Sequence, residues 1–255
     1  MIVATFNVNG IKARLPALLD WLGERAPDVC VLQEIKAQDA DFPAEPIEAL
    51  GYNLATHGQK GFNGVAILSK RPLEDVARGL PGDPADEQAR WIEATVAGVR
   101  VCGLYLPNGN PAPGPKYAYK LAWMQRLEAR AAALLATEAP VVMLGDYNVI
   151  PQARDVHDPA AWAGDALWLP ETRAAFRRIV HQGWTDALRA LTDATAYTFW
   201  DYQGGAWQKN RGIRIDHALL SPQAADRLEA CAVDAAVRGR EKASDHAPLW
   251  LRLAG

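Results

Sequence analysis

Glu34 directly follows the apolar, strand-like run Val29 to Leu32 and the polar Gln33, where backbone leaves a core and meets solvent. Its hard oxygens suit Mg²⁺, a cation that keeps several waters for a phosphate to displace. Gly145-Asp146-Tyr147-Asn148 adds an acid and an amide two residues apart, which on extended backbone project to the same side. Asp146 could orient a water there while Asn148 donates to a phosphate oxygen. Gly, Asp and Asn also build turns, so this pair gains weight only from its company. The company is Ser244-Asp245-His246-Ala247-Pro248. A histidine flanked by an acid can be held charged or in one tautomer, and can then bind or protonate a phosphoryl oxygen. Asp216, in Arg214-Ile215-Asp216-His217, is a candidate to orient it. The oxygen-rich set Glu34, Asp146 and Asp245, without cysteine, predicts phosphoester chemistry assisted by a divalent metal.

These residues need a scaffold that gathers strand ends. Ile2 to Phe6 leads to Asn7, Val99 to Leu104 leads to Tyr105, and Val141 to Leu144 leads to Asp146 and Asn148. Apolar runs that stop abruptly at polar residues are what buried strands sharing one functional edge look like. Leu15, Leu18, Leu19 and Leu22 repeat at helical spacing between the first two strands, with Pro16 expected near the first turn and Pro27 past the end. Tyr117, Leu121, Met124, Ala131 and Leu135 mark a longer helix, and the proline- and glycine-rich stretch 107–115 reads as a structured loop. Each half opens with a strand leading to an Asn or Asp cluster, which fits two packed sheets with helices outside.

The chain's 255 residues, 49% of them hydrophobic, suffice for one large α/β core. No stretch approaches the roughly 20 apolar residues that span a bilayer, and the sequence opens on a strand without a basic, cleavable leader, so a cytoplasmic location is expected. Cys30, Cys102 and Cys231 sit in apolar runs without metal-ligand spacing and read as reduced core residues. A net charge of −3 argues against a protein that coats nucleic acid by bulk electrostatics, although carboxylates that hold a metal inflate the negative count. Basic residues stand near the candidate site: Lys12 and Arg14, Lys60, Lys116 and Lys120, then Lys209, Arg211 and Arg214.

Together the motifs resemble the exonuclease III type of apurinic/apyrimidinic endonuclease, in the endonuclease/exonuclease/phosphatase superfamily. The likeness runs through Phe6-Asn7-Val8-Asn9-Gly10-Ile11-Lys12, Leu32-Gln33-Glu34-Ile35-Lys36, Gly58-Gln59-Lys60-Gly61-Phe62-Asn63-Gly64 and Tyr105-Leu106-Pro107-Asn108-Gly109. It continues through Gly145-Asp146-Tyr147-Asn148, Asn210-Arg211-Gly212-Ile213-Arg214-Ile215-Asp216 and Ser244-Asp245-His246-Ala247-Pro248. The resemblance implies one catalytic domain over residues 1–255, folded as a four-layered α/β sandwich with two central mixed β-sheets flanked by helices. It implies a monomer that uses Mg²⁺, with Mn²⁺ as a substitute, on double-stranded DNA carrying abasic sites or blocked 3′ ends. By this likeness Asn7, Glu34, Asp146, Asn148 and Asp245 surround the metal. Tyr105, Asp146, Asn148, Asp216 and His246 carry the catalysis. Asn108, Lys116, Phe199, Trp200, Arg211 and Ile213 contact the substrate, with Phe199, Trp200 and Ile213 walling a pocket for an extruded base-less sugar. The activity implied is hydrolysis of DNA phosphodiesters on the 5′ side of abasic sites, leaving a 3′-hydroxyl, with 3′ to 5′ exonuclease and 3′-phosphodiesterase/phosphatase activity. A mainly 3′ to 5′ exonuclease with little abasic-site activity, a related metal phosphoesterase acting on a non-DNA substrate and an inactive DNA-binding relative are the alternatives. The stretch 157–169, rich in Ala and Trp, does not match the family's pattern.

Overall fold

The computed structural model describes residues 1–255. Twelve strands follow in chain order: β1 Ile2–Asn7, β2 Val29–Gln33, β3 Asn53–His57, β4 Val65–Ser69, β5 Glu74–Arg78, β6 Trp91–Val96, β7 Val99–Tyr105, β8 Val141–Asp146, β9 Thr185–Asp186, β10 Asp216–Leu220, β11 Leu228–Val233 and β12 Leu249–Leu253. The α-helices are α1 Ile11–Arg25, α2 Ala44–Glu48, α3 Pro115–Leu135, α4 Pro170–His181, α5 Ala187–Leu191 and α6 Pro222–Ala225. They build two six-stranded mixed sheets, ordered β11-β12-β1-β2-β4-β3 and β5-β6-β7-β8-β10-β9. Each sheet has one parallel pair near its centre, β1 with β2 and β7 with β8, and antiparallel strands on either side.

Strand alternation sorts the side chains into layers. Val3, Val29, Val31, Ile67, Ile92, Val101, Val142, Leu144 and Leu251 fill the space between the sheets. The intervening residues face outward: Ala4, Phe6, Cys30 and Leu32 pack with Leu18, Trp21 and Leu22 of α1. On the other sheet Cys102, Leu104, Val141 and Met143 pack with Trp123, Met124 and Leu127 of α3 and Phe176 and Ile179 of α4. This is the expected four-layered sandwich. Gly103 lets the two sheets come close, since a Cβ there would lie 2.3 Å from Val31 Cγ1.

Helix α1 begins at Ile11, so Pro16 lies inside it and not in its first turn. Gly10, at φ 101°, breaks the chain out of β1 early enough for five further residues to precede the proline. The long helix follows its predicted span, starting with Pro115 and burying Tyr117, Met124 and Ala131. Cys30, Cys102 and Cys231 are all free, the first two buried. No helix is long and apolar enough to cross a membrane.

Candidate metal and phosphate site

The two parallel pairs deliver their C-terminal ends to the same rim. Asn7 ends β1, Glu34 follows β2, Tyr105 ends β7 and Asp146 ends β8. Glu34 (φ 50°) and Asn148 (φ 47°) both take the left-handed conformation just past their strands. Gly145, just before Asp146, passes so close to Leu104 that a Cβ would lie 2.0 Å from its carbonyl oxygen.

Asn7 joins the two sheets chemically. Its Nδ2 donates to Glu34 Oε1 and to Asp146 Oδ2, each at 2.9 Å, while its oxygen accepts the Asn9 N–H. Asn7 therefore orients the carboxylates and turns its oxygen away from them. The second oxygen of Glu34 pairs with Lys36 Nζ at 2.9 Å. Burial alone would raise the Glu34 pKa, but the Asn7 N–H and the Lys36 ammonium more than offset it and hold the carboxyl below its usual range. Asp146 accepts the Asn148 backbone N–H on Oδ1 at 2.9 Å, and burial pushes its pKa up.

His246 occupies the opposite wall. Its Nδ1–H donates to Asp216 Oδ2 at 2.8 Å, and Nε2 faces Asp146 Oδ2 at 3.7 Å. Burial alone would lower its pKa; Asp216 first, then Asp146 and Asp245, overcome this and keep the ring charged. Tyr105 lies beside Glu34 and Asp146, and burial followed by those two negative charges pushes its phenol well above the ordinary value, so it stays protonated. Asn108 Nδ2 donates to Asn148 Oδ1, and Asn148 Nδ2 donates to the Leu106 carbonyl.

One cavity of about 250 Å³ is lined by Glu34, Tyr105, Asn108, Asp146, Asn148, Phe199, Ile213, Asp245 and His246. Trp162, Leu167 and Ile215 complete an apolar wall, and Phe199 stacks edge-on against His246 with ring centroids 5.1 Å apart.

The remaining sequence candidates fall elsewhere. Trp200 is outside the cavity: only 2% exposed, it packs with Ala206, Ala247 and Trp207, and its indole N–H bonds Asn210. Adjacent residues on extended backbone point oppositely, so Phe199 and Trp200 cannot both face one pocket. Lys116 lines a separate polar groove of about 510 Å³ with Arg90, Asn108, Asn110 and Tyr119. Arg211 is exposed and does not line the cavity. Asp245 faces the cavity but accepts hydrogen bonds from Asn9 and Ser244. Lys36, Trp162, Leu167 and Ile215 were not singled out from sequence, and for Lys36 the signal was its place two residues after Glu34.

The donor set fits a hard cation. Ligand atoms of Glu34, Asp146 and His246 all lie within 4.8 Å of one another, and a buried oxygen of the neighbouring Asp216 has no partner. A cation held by Glu34 and Asp146 would leave the His246 ring, whose pKa is raised, to face an anion. Carboxylates that a cation can bridge, beside a fixed positive ring, suit hydrolysis of a phosphate ester.

Comparison with known proteins agrees. The model of the endonuclease/exonuclease/phosphatase family matches residues 4–246. Exodeoxyribonuclease III of Haemophilus influenzae is 35% identical over 96% of this chain and 97% of its own. An AP endonuclease from Archaeoglobus fulgidus superposes with a TM-score of 0.95 at 38% identity, covering 99% of each chain. The 3′ phosphatase NExo from Neisseria, solved with a product DNA hairpin, superposes at 0.97 and 38% identity over the whole of both chains. The chain belongs to the endonuclease/exonuclease/phosphatase family and, within it, to the exodeoxyribonuclease III type.

Proposed function

We propose that this protein is a Mg²⁺-dependent DNA repair nuclease, acting as a cytoplasmic monomer with residues 1–255 forming one catalytic domain. It hydrolyses phosphodiesters on the 5′ side of abasic sites, degrades DNA from 3′ ends and removes 3′-blocking groups. Mn²⁺ substitutes for Mg²⁺. The observation that carries this reading is the pairing of a carboxylate and charged-histidine cluster with an apolar pocket of sugar dimensions in the same cavity.

Glu34 and Asp146 would hold the cation, which when bound neutralises phosphate charge. Asp146, with its proton affinity raised by burial, orients and deprotonates the attacking water. The charged Nε2–H of His246 and the remaining amide N–H of Asn148 bind the non-bridging phosphate oxygens. Tyr105 presents a protonated phenol to the leaving oxygen. Phe199, Ile213 and Ile215 receive the sugar beside the phosphate, and an intact nucleotide inside a duplex is excluded by shape and by the cost of unstacking it.

One feature favours 3′-end processing over internal incision. Trp162 and Leu167, from the stretch that departs from the family's pattern, close the apolar side of the pocket. A terminal residue enters such a pocket with one chain leaving it, whereas an internal abasic site must thread two. The test compares a duplex with one internal abasic site and a nicked duplex with a 3′-phosphate, with Mg²⁺ and then with chelator. Cleavage of either with Mg²⁺ and of neither with chelator is expected, the 3′-phosphate being removed faster. Full activity in excess chelator would refute the metal reading, and inertness toward both DNAs would refute the substrate.

A further inference from the structure

We propose that Lys120 is a positioning residue for phosphodiester hydrolysis, setting Asn108 and Asn148 from behind the cavity. It is the only buried lysine in the chain, with no exposed surface, on a face of α3 otherwise occupied by Tyr117, Met124 and Leu127. Burial pulls this amine down to about 7, and a buried ammonium costs several kcal/mol unless it is compensated, so leucine or methionine would be the stabilising occupant of this position. The compensation is specific. Nζ donates to the Asn108 carbonyl at 3.0 Å and to the Asn148 carbonyl at 2.6 Å.

Those two carbonyls belong to the loops leaving β7 and β8, whose Asn108 and Asn148 side chains line the cavity. Asn148 is held in a left-handed conformation (φ 47°) that asparagine tolerates and does not prefer, and the lysine grips the carbonyl of that same residue. The side chains of Asn108 and Asn148 are then locked to each other at 3.2 Å. Gly109 keeps the passage open: its φ is +91°, and a Cβ would lie 2.6 Å from Lys120 Cδ. Lys120 does not line the cavity, so it acts only through the residues it holds. A donor displaced by about 1 Å costs on the order of 100-fold in rate, which is the scale at stake.

The inference rests on the phosphodiesterase reading of the site and not on DNA as substrate. It is therefore tested on bis(4-nitrophenyl) phosphate with Mn²⁺, so inertness toward DNA and failure of this proposal remain separate results. Lys120→Met keeps the volume and removes the Nζ–H donors to both carbonyls. Its kcat should fall by about 10- to 100-fold with KM changed by no more than about threefold. In a double-mutant cycle, adding Lys120→Met to Asn148→Ala should lower kcat by no more than about a further threefold, because the lysine works through that asparagine. Wild-type kcat in folded Lys120→Met, or a fully multiplicative loss in the double variant, would overturn the proposal. Should the methionine variant not fold, Lys120→Leu, which likewise lacks an N–H donor, carries the same comparison. Failure of both to fold would assign the residue a purely structural role and overturn the proposal equally.

Discussion

Replacing Asp216 by Asn keeps the shape of the side chain and removes the charge that holds His246 protonated. The ring is 4% exposed, and burial alone would favour its neutral form. Asp216 supplies the largest opposing contribution, followed by Asp146 and Asp245, and together they push the imidazole up to about 10. In Asp216→Asn the ring falls back toward its ordinary value of about 6.5, so near neutral pH the scissile phosphate faces a mostly uncharged imidazole. Loss of one preorganised charged donor costs roughly 10²- to 10³-fold in kcat, or about 2.7 to 4 kcal/mol of transition-state stabilisation. The pH profile carries the sharper test. Wild-type His246 is charged at about pH 6 through 8 and contributes no slope there, whereas the variant should recover rate as pH falls from about 8 to 6 and protons return from solvent. Stability follows the same linkage. The folded pKa is raised, so the stabilisation is complete below about pH 6.5 and is lost as pH rises through about 10. Denaturant melts should show Asp216→Asn most destabilised against wild type near pH 6, the two converging at high pH. Single-turnover cleavage of a 3′-phosphate duplex at several pH values measures the rate effect. A variant within about threefold of wild type, or one whose deficit is the same at every pH, would refute the role given to the dyad.

Glu34→Gln should raise the metal concentration required for half-maximal activity at least about tenfold, because one of two anionic ligands is lost. Burial raises Asp146, so a proton competes with the cation: apparent metal affinity should rise about tenfold per pH unit below the Asp146 pKa and flatten above it, a slope that isothermal titration would find missing in Asp146→Asn. Trp200→Ala should destabilise the fold by about 3 to 5 kcal/mol and lower all activities in parallel, as expected for a truncated core aromatic. Phe199→Ala should instead lose discrimination between a 3′-terminal sugar phosphate and a small generic diester while melting near wild type, and equal losses on both substrates would remove Phe199 from the pocket.

The parts of the site that were legible in the sequence are those where local order decides position. Apolar runs ending at Asn7, Glu34, Tyr105 and Asp146 required only that the strands be parallel neighbours for their ends to meet, and β1 with β2 and β7 with β8 are those neighbours. The His246 and Asp216 pairing was readable from residue types, although 30 residues separate them. What failed was anything set by side-chain direction or by packing across loops. Asn7 and Asn148 do stand at the site, but the partners of their amide groups, Glu34 and Asp146 for Asn7 and Asn108 and the Leu106 carbonyl for Asn148, depend on side-chain direction that the sequence does not show. Phe199 and Trp200 were treated as a pair, although a two-residue period places one in the cavity and the other in a tryptophan-lined core. Trp162 and Leu167 could not be found, because the 157–169 stretch reaches the cavity through the Asn110 and Asp165 hydrogen bonds, which join distant loops. Lys120 is the instructive case between these. Buried positions 117, 120, 124, 127, 131 and 134 of α3 follow helical spacing, so the apolar stripe was visible and the lysine interrupts it. An amine placed on a buried stripe must have partners, and the partners of this one are the backbone carbonyls of two residues that line the cavity.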